Sequence, residues 1–266
     1  MLTRFITAIV AIAIFFGVVY FIPPICFTVA VGLVAALAAY ELAGRSGIVR
    51  NRAMSIFAAV FAFAVPFCIN TESNFDYYII LVFLCFITMF ATWLFSYGKV
   101  NLVMTLTSVF AGAILPVFFS LIIPIRWAEN GDFLVLLPFL AAWVTDTGAY
   151  FSGVFLGKHK LCEKISPKKT VEGSIGGALV CVIVLVIYAK LTKLGIGYVA
   201  SVIGALVLSA IAQIGDLSFS VIKREYNIKD YGNIMPGHGG VLDRFDSAVF
   251  TIPASYIFLK IIGGIL

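Results

Sequence analysis

The segment Pro236-Gly-His-Gly-Gly-Val-Leu-Asp-Arg-Phe-Asp246 places two carboxylates, Asp243 and Asp246, three residues apart just ahead of a long apolar run. If a helix begins near Asp243, both project from one face. Carboxylates side by side repel unless a cation lies between them. Magnesium suits that position: it is hard, prefers oxygen, and commonly takes one or two carboxylates together with substrate phosphates. Helix N-capping is the competing role, and it accounts for one aspartate more readily than for the pair. Asp216, at the end of the preceding apolar run, is a candidate third ligand. Gly237, Gly239 and Gly240 suit a backbone held close to an anion, and equally a plain turn. His238 between them has three readings: a general acid, a phosphate donor or a structural residue. With no cysteine or second histidine beside it, a zinc site is disfavoured.

Asp146 and Asp216 both lie within apolar sequence. A carboxylate in hydrocarbon costs at least about 2.5 kcal/mol even on a lenient insertion scale. Such a group faces a cavity, an ion or a partner, or is satisfied by a hydrogen bond to a Thr, Ser or Gln on a neighbouring helix. Cations accompany these acids. Ser166-Pro-Lys-Lys-Thr-Val-Glu-Gly-Ser174 sets Lys168 and Lys169 before an apolar run, and Lys223, Arg224, Lys229 and Arg244 bracket the aspartate pair. Topology and anionic lipid explain basic clusters at a membrane surface; they do not explain cations interleaved with carboxylates. Magnesium, carboxylates and several cations together are what phosphoryl or nucleotidyl transfer needs, because the protein there mainly positions groups and neutralises charge.

The elements that must hold these residues follow from composition. Of 266 residues 62% are hydrophobic and 12% charged, against roughly 45–50% and 25% in a soluble domain. The mean hydropathy is +1.10. A soluble enzyme, a secreted disulfide scaffold and a disordered chain are excluded. The five cysteines are scattered, with no Cys-x-x-Cys pair, and indicate neither disulfides nor zinc. The apolar runs are continuous rather than alternating, which favours helices over a β-barrel. The expected fold is therefore all-α and polytopic, with about nine transmembrane helices near 5–22, 25–42, 53–69, 77–97, 102–125, 132–156, 174–192, 195–222 and 246–265. The first run, behind Arg4, resembles a secretory leader but is long for one, and is read as span one. Pro23-Pro24 separates the first two runs. Alternation puts the basic loops on the face of the N-terminus; only Arg126, Lys190, Lys193 and Lys260, of 18 basic residues, fall on the other face or its span ends. The positive-inside rule then gives N-in, C-out, with loops 157–173 and 223–245 in the cytoplasm. Residues 1–125 form an expected anchoring and dimer-contact region, and 126–266 the catalytic region. Gly153/Gly157 and Gly173/Gly177 suit close helix packing.

The stretch Ser220-Val-Ile-Lys-Arg-Glu-Tyr-Asn-Ile-Lys-Asp-Tyr-Gly-Asn-Ile-Met-Pro-Gly-His-Gly-Gly-Val-Leu-Asp-Arg-Phe-Asp246 resembles the signature of phosphatidate cytidylyltransferases, or CDP-diacylglycerol synthases. Asp146-Thr-Gly-Ala-Tyr-Phe-Ser-Gly153 and Ser166-Pro-Lys-Lys-Thr-Val-Glu-Gly173 resemble further segments of that family. Met235 stands where a branched or aromatic residue is more usual. The resemblance implies CTP and phosphatidate as substrates, CDP-diacylglycerol and pyrophosphate as products, and dependence on Mg2+, with room for a second cation. It implies a homodimer among membrane lipids, no nucleic-acid partner, and a bacterial-type inner-membrane location with a polar cavity open to the cytoplasm. Asp216, Asp243 and Asp246 would bind metal. Lys223, Arg224, Lys229 and Arg244 would meet phosphates, and His238 would protonate the leaving pyrophosphate. Asp146, Ser166, Lys168, Lys169, Thr170, Gly239 and Gly240 would line the same cavity. Two other functions compete: a CTP-dependent polyprenol or dolichol-type lipid kinase, and a cation-coupled transporter using Asp146 and Asp216. A CDP-alcohol phosphotransferase would need an Asp-Gly-x-x-Ala-Arg motif that the sequence lacks.

Overall fold

A segment surrounded by lipid must satisfy its own backbone, so runs of this length fold as helices. The computed structural model of the chain is 78% helical. It describes residues 2–69, 75–234, 239–263 and 265–266. The helices are α1 (Leu2–Phe21), α2 (Pro24–Tyr40), α3 (Arg52–Cys68), α4 (Phe75–Phe95), α5 (Leu102–Val109), α6 (Leu115–Ser120), α7 (Ile122–Trp127), α8 (Gly131–Leu134), α9 (Leu137–Leu156), α10 (Val171–Leu191), α11 (Tyr198–Glu225) and α12 (Leu242–Phe258). Each expected apolar run falls on one or more of them. Among the described residues, six stretches are long and apolar enough to cross a membrane: Pro24–Arg45, Asp76–Phe95, Leu102–Trp127, Gly131–Leu156, Val171–Leu191 and Tyr198–Glu225. Ile9–Phe21 and Arg52–Cys68 are shorter apolar helices. These are the helices of an integral membrane protein.

Three features depart from the expected pattern. The run 102–125 is not one α-helix: a π-helical turn, Phe110–Ile114, separates α5 from α6. Gly112 sits in that turn where a Cβ would lie 3.1 Å from the Cys85 sulfur and 3.2 Å from Ala58 Cα, and Pro116 follows without a backbone donor. The loop 157–173 contains two antiparallel strands, β1 (Lys160–Cys162) and β2 (Ser166–Thr170), with Lys160 opposite Thr170 and Cys162 opposite Ser166. Pro167 favours the extended backbone there. Finally, α11 continues to Glu225, so Lys223 and Arg224 belong to its last turn. Cations at that end complement the helix dipole.

The chain divides into two compact units. The first comprises Met1–Ile123 and Glu225–Phe245, the second Pro124–Arg224 and Asp246–Leu266. In the first unit, Ala35, Ala38 and Ala39 of α2 and Ala58 and Ala62 of α3 are fully buried, the small residues that let helices pack closely in lipid. The Asn51 side chain caps α3, accepting the N–H groups of Ala53 at 3.0 Å and Met54 at 3.3 Å. In the second unit α9 and α10 pack closely; a Cβ at Gly177 would stand 2.7 Å from the Thr145 carbonyl oxygen. Polar contacts join α11 to this pair: Thr145 Oγ1 to Ser209 at 3.0 Å, and Ser174 Oγ to Gln213 Oε1 at 2.5 Å.

Candidate active site

In the second unit, residues from four elements assemble the charges that the sequence singles out. Asp146 comes from α9, Lys169 from β2, Asp216 and Lys223 from α11, and Asp246 from α12. Lys169 forms an ion pair with Asp216. Lys223 Nζ stands 3.9 Å from Asp246 Oδ2. Ser247 Oγ lies 3.5 Å from Asp146 Oδ2, and Asp146 is an electrostatic neighbour of Asp216, Lys169 and Asp246. The four paired side chains are largely but not wholly covered, with 14% of Lys223 and 28% of Lys169 exposed. Three carboxylates and two ammonium groups thus gather as two lysine–carboxylate pairs, with Asp146 beside Lys169, Asp216 and Asp246.

Local structure explains how β2 reaches this region. Thr170 Oγ1 accepts the Gly173 N–H at 3.1 Å and caps α10, which fixes the strand that presents Lys169. Arg224 Nε donates to the Ile165 carbonyl at 3.1 Å, tying the hairpin to the end of α11. Two expected substrate-binding or catalytic residues, Thr170 and Arg224, therefore each support the hairpin. Ser166 and Lys168 share β2 with Lys169, and Lys168 is exposed.

The signature segment of the first unit has its own organisation. Asp243 Oδ2 accepts two backbone N–H groups, from Tyr231 at 2.7 Å and Gly240 at 3.0 Å. Both donors precede α12, so these bonds hold the residues ahead of the helix and are not an N-cap of it. Gly239 has φ +85°, a conformation that favours glycine, and Gly240 is buried. Lys229 and Arg244 are exposed. His238 and Gly237 lie outside the described residues. Asp243 and Asp246 are one turn apart at the start of α12, as their spacing requires.

Among the described residues no three His, Cys, Asp or Glu side chains form a group of metal-ligating geometry. The donors gathered at Asp146, Asp216 and Asp246, carboxylate oxygens with the Ser247 hydroxyl, are hard ligands of the kind magnesium takes. Sequence reasoning missed Ser247, whose only signal is its place beside Asp246. It also missed Glu41, a carboxylate at the end of an apolar run that is 0% exposed and hydrogen-bonded to the signature segment.

The profile of the cytidylyltransferase family matches residues 2–262 of this chain. The chain is 40% identical over 168 residues to the phosphatidate cytidylyltransferase of Bacillus subtilis (strain 168), a match covering 63% of this chain and 61% of that protein. It is 45% identical over 131 residues to the enzyme of that name from Staphylococcus saprophyticus, covering 49% and 50%. The Staphylococcus aureus (strain COL) protein, with the same name, is 45% identical over 133 residues, covering 49% and 50%. The matched region thus spans half to three fifths of these relatives.

Proposed function

This chain belongs to the cytidylyltransferase family, and from that premise we propose that it joins CTP to phosphatidate, giving CDP-diacylglycerol and pyrophosphate for phospholipid synthesis. The names of its relatives support the choice of lipid. The observation that carries the reading is the two lysine–carboxylate pairs, Lys169 with Asp216 and Lys223 with Asp246, with Asp146 beside Lys169, Asp216 and Asp246. Two polyanions must meet for this reaction, and fixed cations lower their repulsion without the cost of reorganising water. A neutral alcohol acceptor, as in a lipid kinase, would need the same cations for CTP and in addition a base, a role open to His238 or an aspartate.

A phosphatidate oxygen, ionised at neutral pH, attacks the α-phosphorus of CTP. A new P–O bond forms, the bond from the α-phosphorus to the bridging oxygen breaks, and its electron pair leaves with pyrophosphate. Such a nucleophile needs no general base. Lys169, Lys223, Arg224, Lys229 and Arg244 hold phosphate oxygens of nucleotide, lipid or leaving group. Asp146, Ser166, Lys168, Thr170, Gly239 and Gly240 complete the substrate-binding surface, and His238 protonates the departing pyrophosphate. Asp216, Asp243 and Asp246 would hold Mg2+, which supplies charge neutralisation on the phosphates when bound; a second cation fits the same role.

In this function the chain crosses a bacterial-type inner membrane nine times, N-in and C-out, so that the cavity opens to the cytoplasm. The chain acts as a homodimer, with residues 1–125 anchoring and making dimer contacts and 126–266 carrying catalysis. The test is product formation by purified protein in detergent, from CTP and phosphatidate, with magnesium or with EDTA. Magnesium-dependent CDP-diacylglycerol and pyrophosphate are expected. Turnover only when a polyprenol replaces phosphatidate would move the protein to the kinase function.

A further inference from the structure

Glu41 opens a π-helical turn, Glu41–Arg45, that continues α2, and its side chain is completely buried within the first unit. Both carboxylate oxygens are used. Oε1 accepts the Val241 N–H at 3.1 Å and Oε2 accepts the Leu242 N–H at 2.8 Å. These donors belong to the start of α12, where helix geometry leaves N–H groups without intrahelical partners. Such groups are ordinarily met by an N-cap side chain close in sequence. The residue preceding α12 is Val241, which has none to offer, and the carboxylate arrives instead from 200 residues away. A negative charge there also complements the helix dipole.

The surroundings are shaped to this carboxylate. A Cβ at Gly240 would lie 2.5 Å from both of its oxygens, and Gly232 packs against Oε1. On the same π-helical turn, Arg45 hydrogen-bonds the side chain of Asn233. Asp243 closes the segment on itself through the Tyr231 and Gly240 N–H groups, with Tyr231 1% exposed. Arg45 thus holds Asn233, and Glu41 holds Val241 and Leu242.

We propose that Glu41 is a positioning residue for the transfer site, fixing the first turn of α12 and with it Asp243, the aspartate that turn carries. This rests on the cytidylyl-transfer function proposed above. A glutamine cannot replace it, because two N–H donors need two acceptors and the amide NH2 would face one of them. An aspartate keeps both acceptors but is one methylene shorter.

The test compares the full-length wild type and Glu41→Gln in detergent, by steady-state kinetics with CTP and phosphatidate and by amide hydrogen exchange. Loss of a charge-assisted contact should speed exchange at Val241 and Leu242 by about tenfold or more, with α3 exchanging as in the wild type. It should lower kcat by about tenfold or more while KM for CTP changes less than about threefold. Unchanged exchange at Val241 and Leu242 would overturn the proposal, as would faster local exchange with kcat intact. Faster exchange throughout α2, α3 and α12 would overturn it too, showing a general structural role. A wild type that makes no CDP-diacylglycerol would refute the transfer function instead, and local exchange would then decide the Glu41 contact alone.

Discussion

Lys169 of β2 and Asp216 of α11 form an ion pair across 47 positions of sequence. Removing charges from water is costly, and apolar replacement of such a pair is often neutral or stabilising. Stability is therefore a poor reason to place it among apolar helices. A site for polyanions is a better one, since either partner can exchange its mate for phosphate or metal.

Lys169→Met and Asp216→Asn should each lower kcat/KM by about 100-fold or more, the scale of losing one preorganised electrostatic group. The double variant should lose less than the product of the two, because the residues act together. Initial rates of CDP-diacylglycerol formation check this. Thermal unfolding of the same preparations should show the fold retained.

The α9–α10 contact makes a prediction of stability. A leucine at Gly177 would push into the Thr145 carbonyl, which a Cβ alone already approaches to 2.7 Å. Gly177→Leu should destabilise the protein by about 1–3 kcal/mol, the usual cost of overpacking. Denaturation in detergent measures it, as a lowered midpoint.

Asn51 supplies a contrast outside the site. Its side chain caps α3, so Asn51→Ala should cost about 1 kcal/mol of stability. Its turnover with CTP and phosphatidate should match the wild type at temperatures where both are folded. Calorimetry and initial rates together check the pair of outcomes.

The helices were legible because a run such as 77–97 has nowhere to put its backbone groups except in a helix. The aspartate pair was legible because three-residue spacing has one meaning on a helix, and α12 begins at Leu242, where that meaning applies. The pairing of Lys169 with Asp216 was not, since nothing local links a strand residue to a helix residue 47 positions on. Glu41 was hidden for the same reason: at the end of an apolar run a glutamate looks like an ordinary interfacial residue. The π-helical turn Phe110–Ile114 depends on what packs against Gly112, which apolar periodicity does not record.

The proposed dependence on Mg2+ is tested by metal removal. With Asp216 and Asp246 each beside a lysine, EDTA should abolish turnover without unfolding the protein, and magnesium should restore it. Activity and thermal unfolding in EDTA, before and after magnesium, check both halves.

Cytidylyl transfer itself is tested most directly by following the phosphates of CTP. The purified protein is given phosphatidate and CTP labelled at either the α- or the γ-phosphate, and the lipid phase is extracted. Label from the α-phosphate should enter the lipid as CDP-diacylglycerol, and γ-label should stay in water as pyrophosphate. Label from the γ-phosphate in the lipid, with none from the α-phosphate, would contradict cytidylyl transfer and show a kinase.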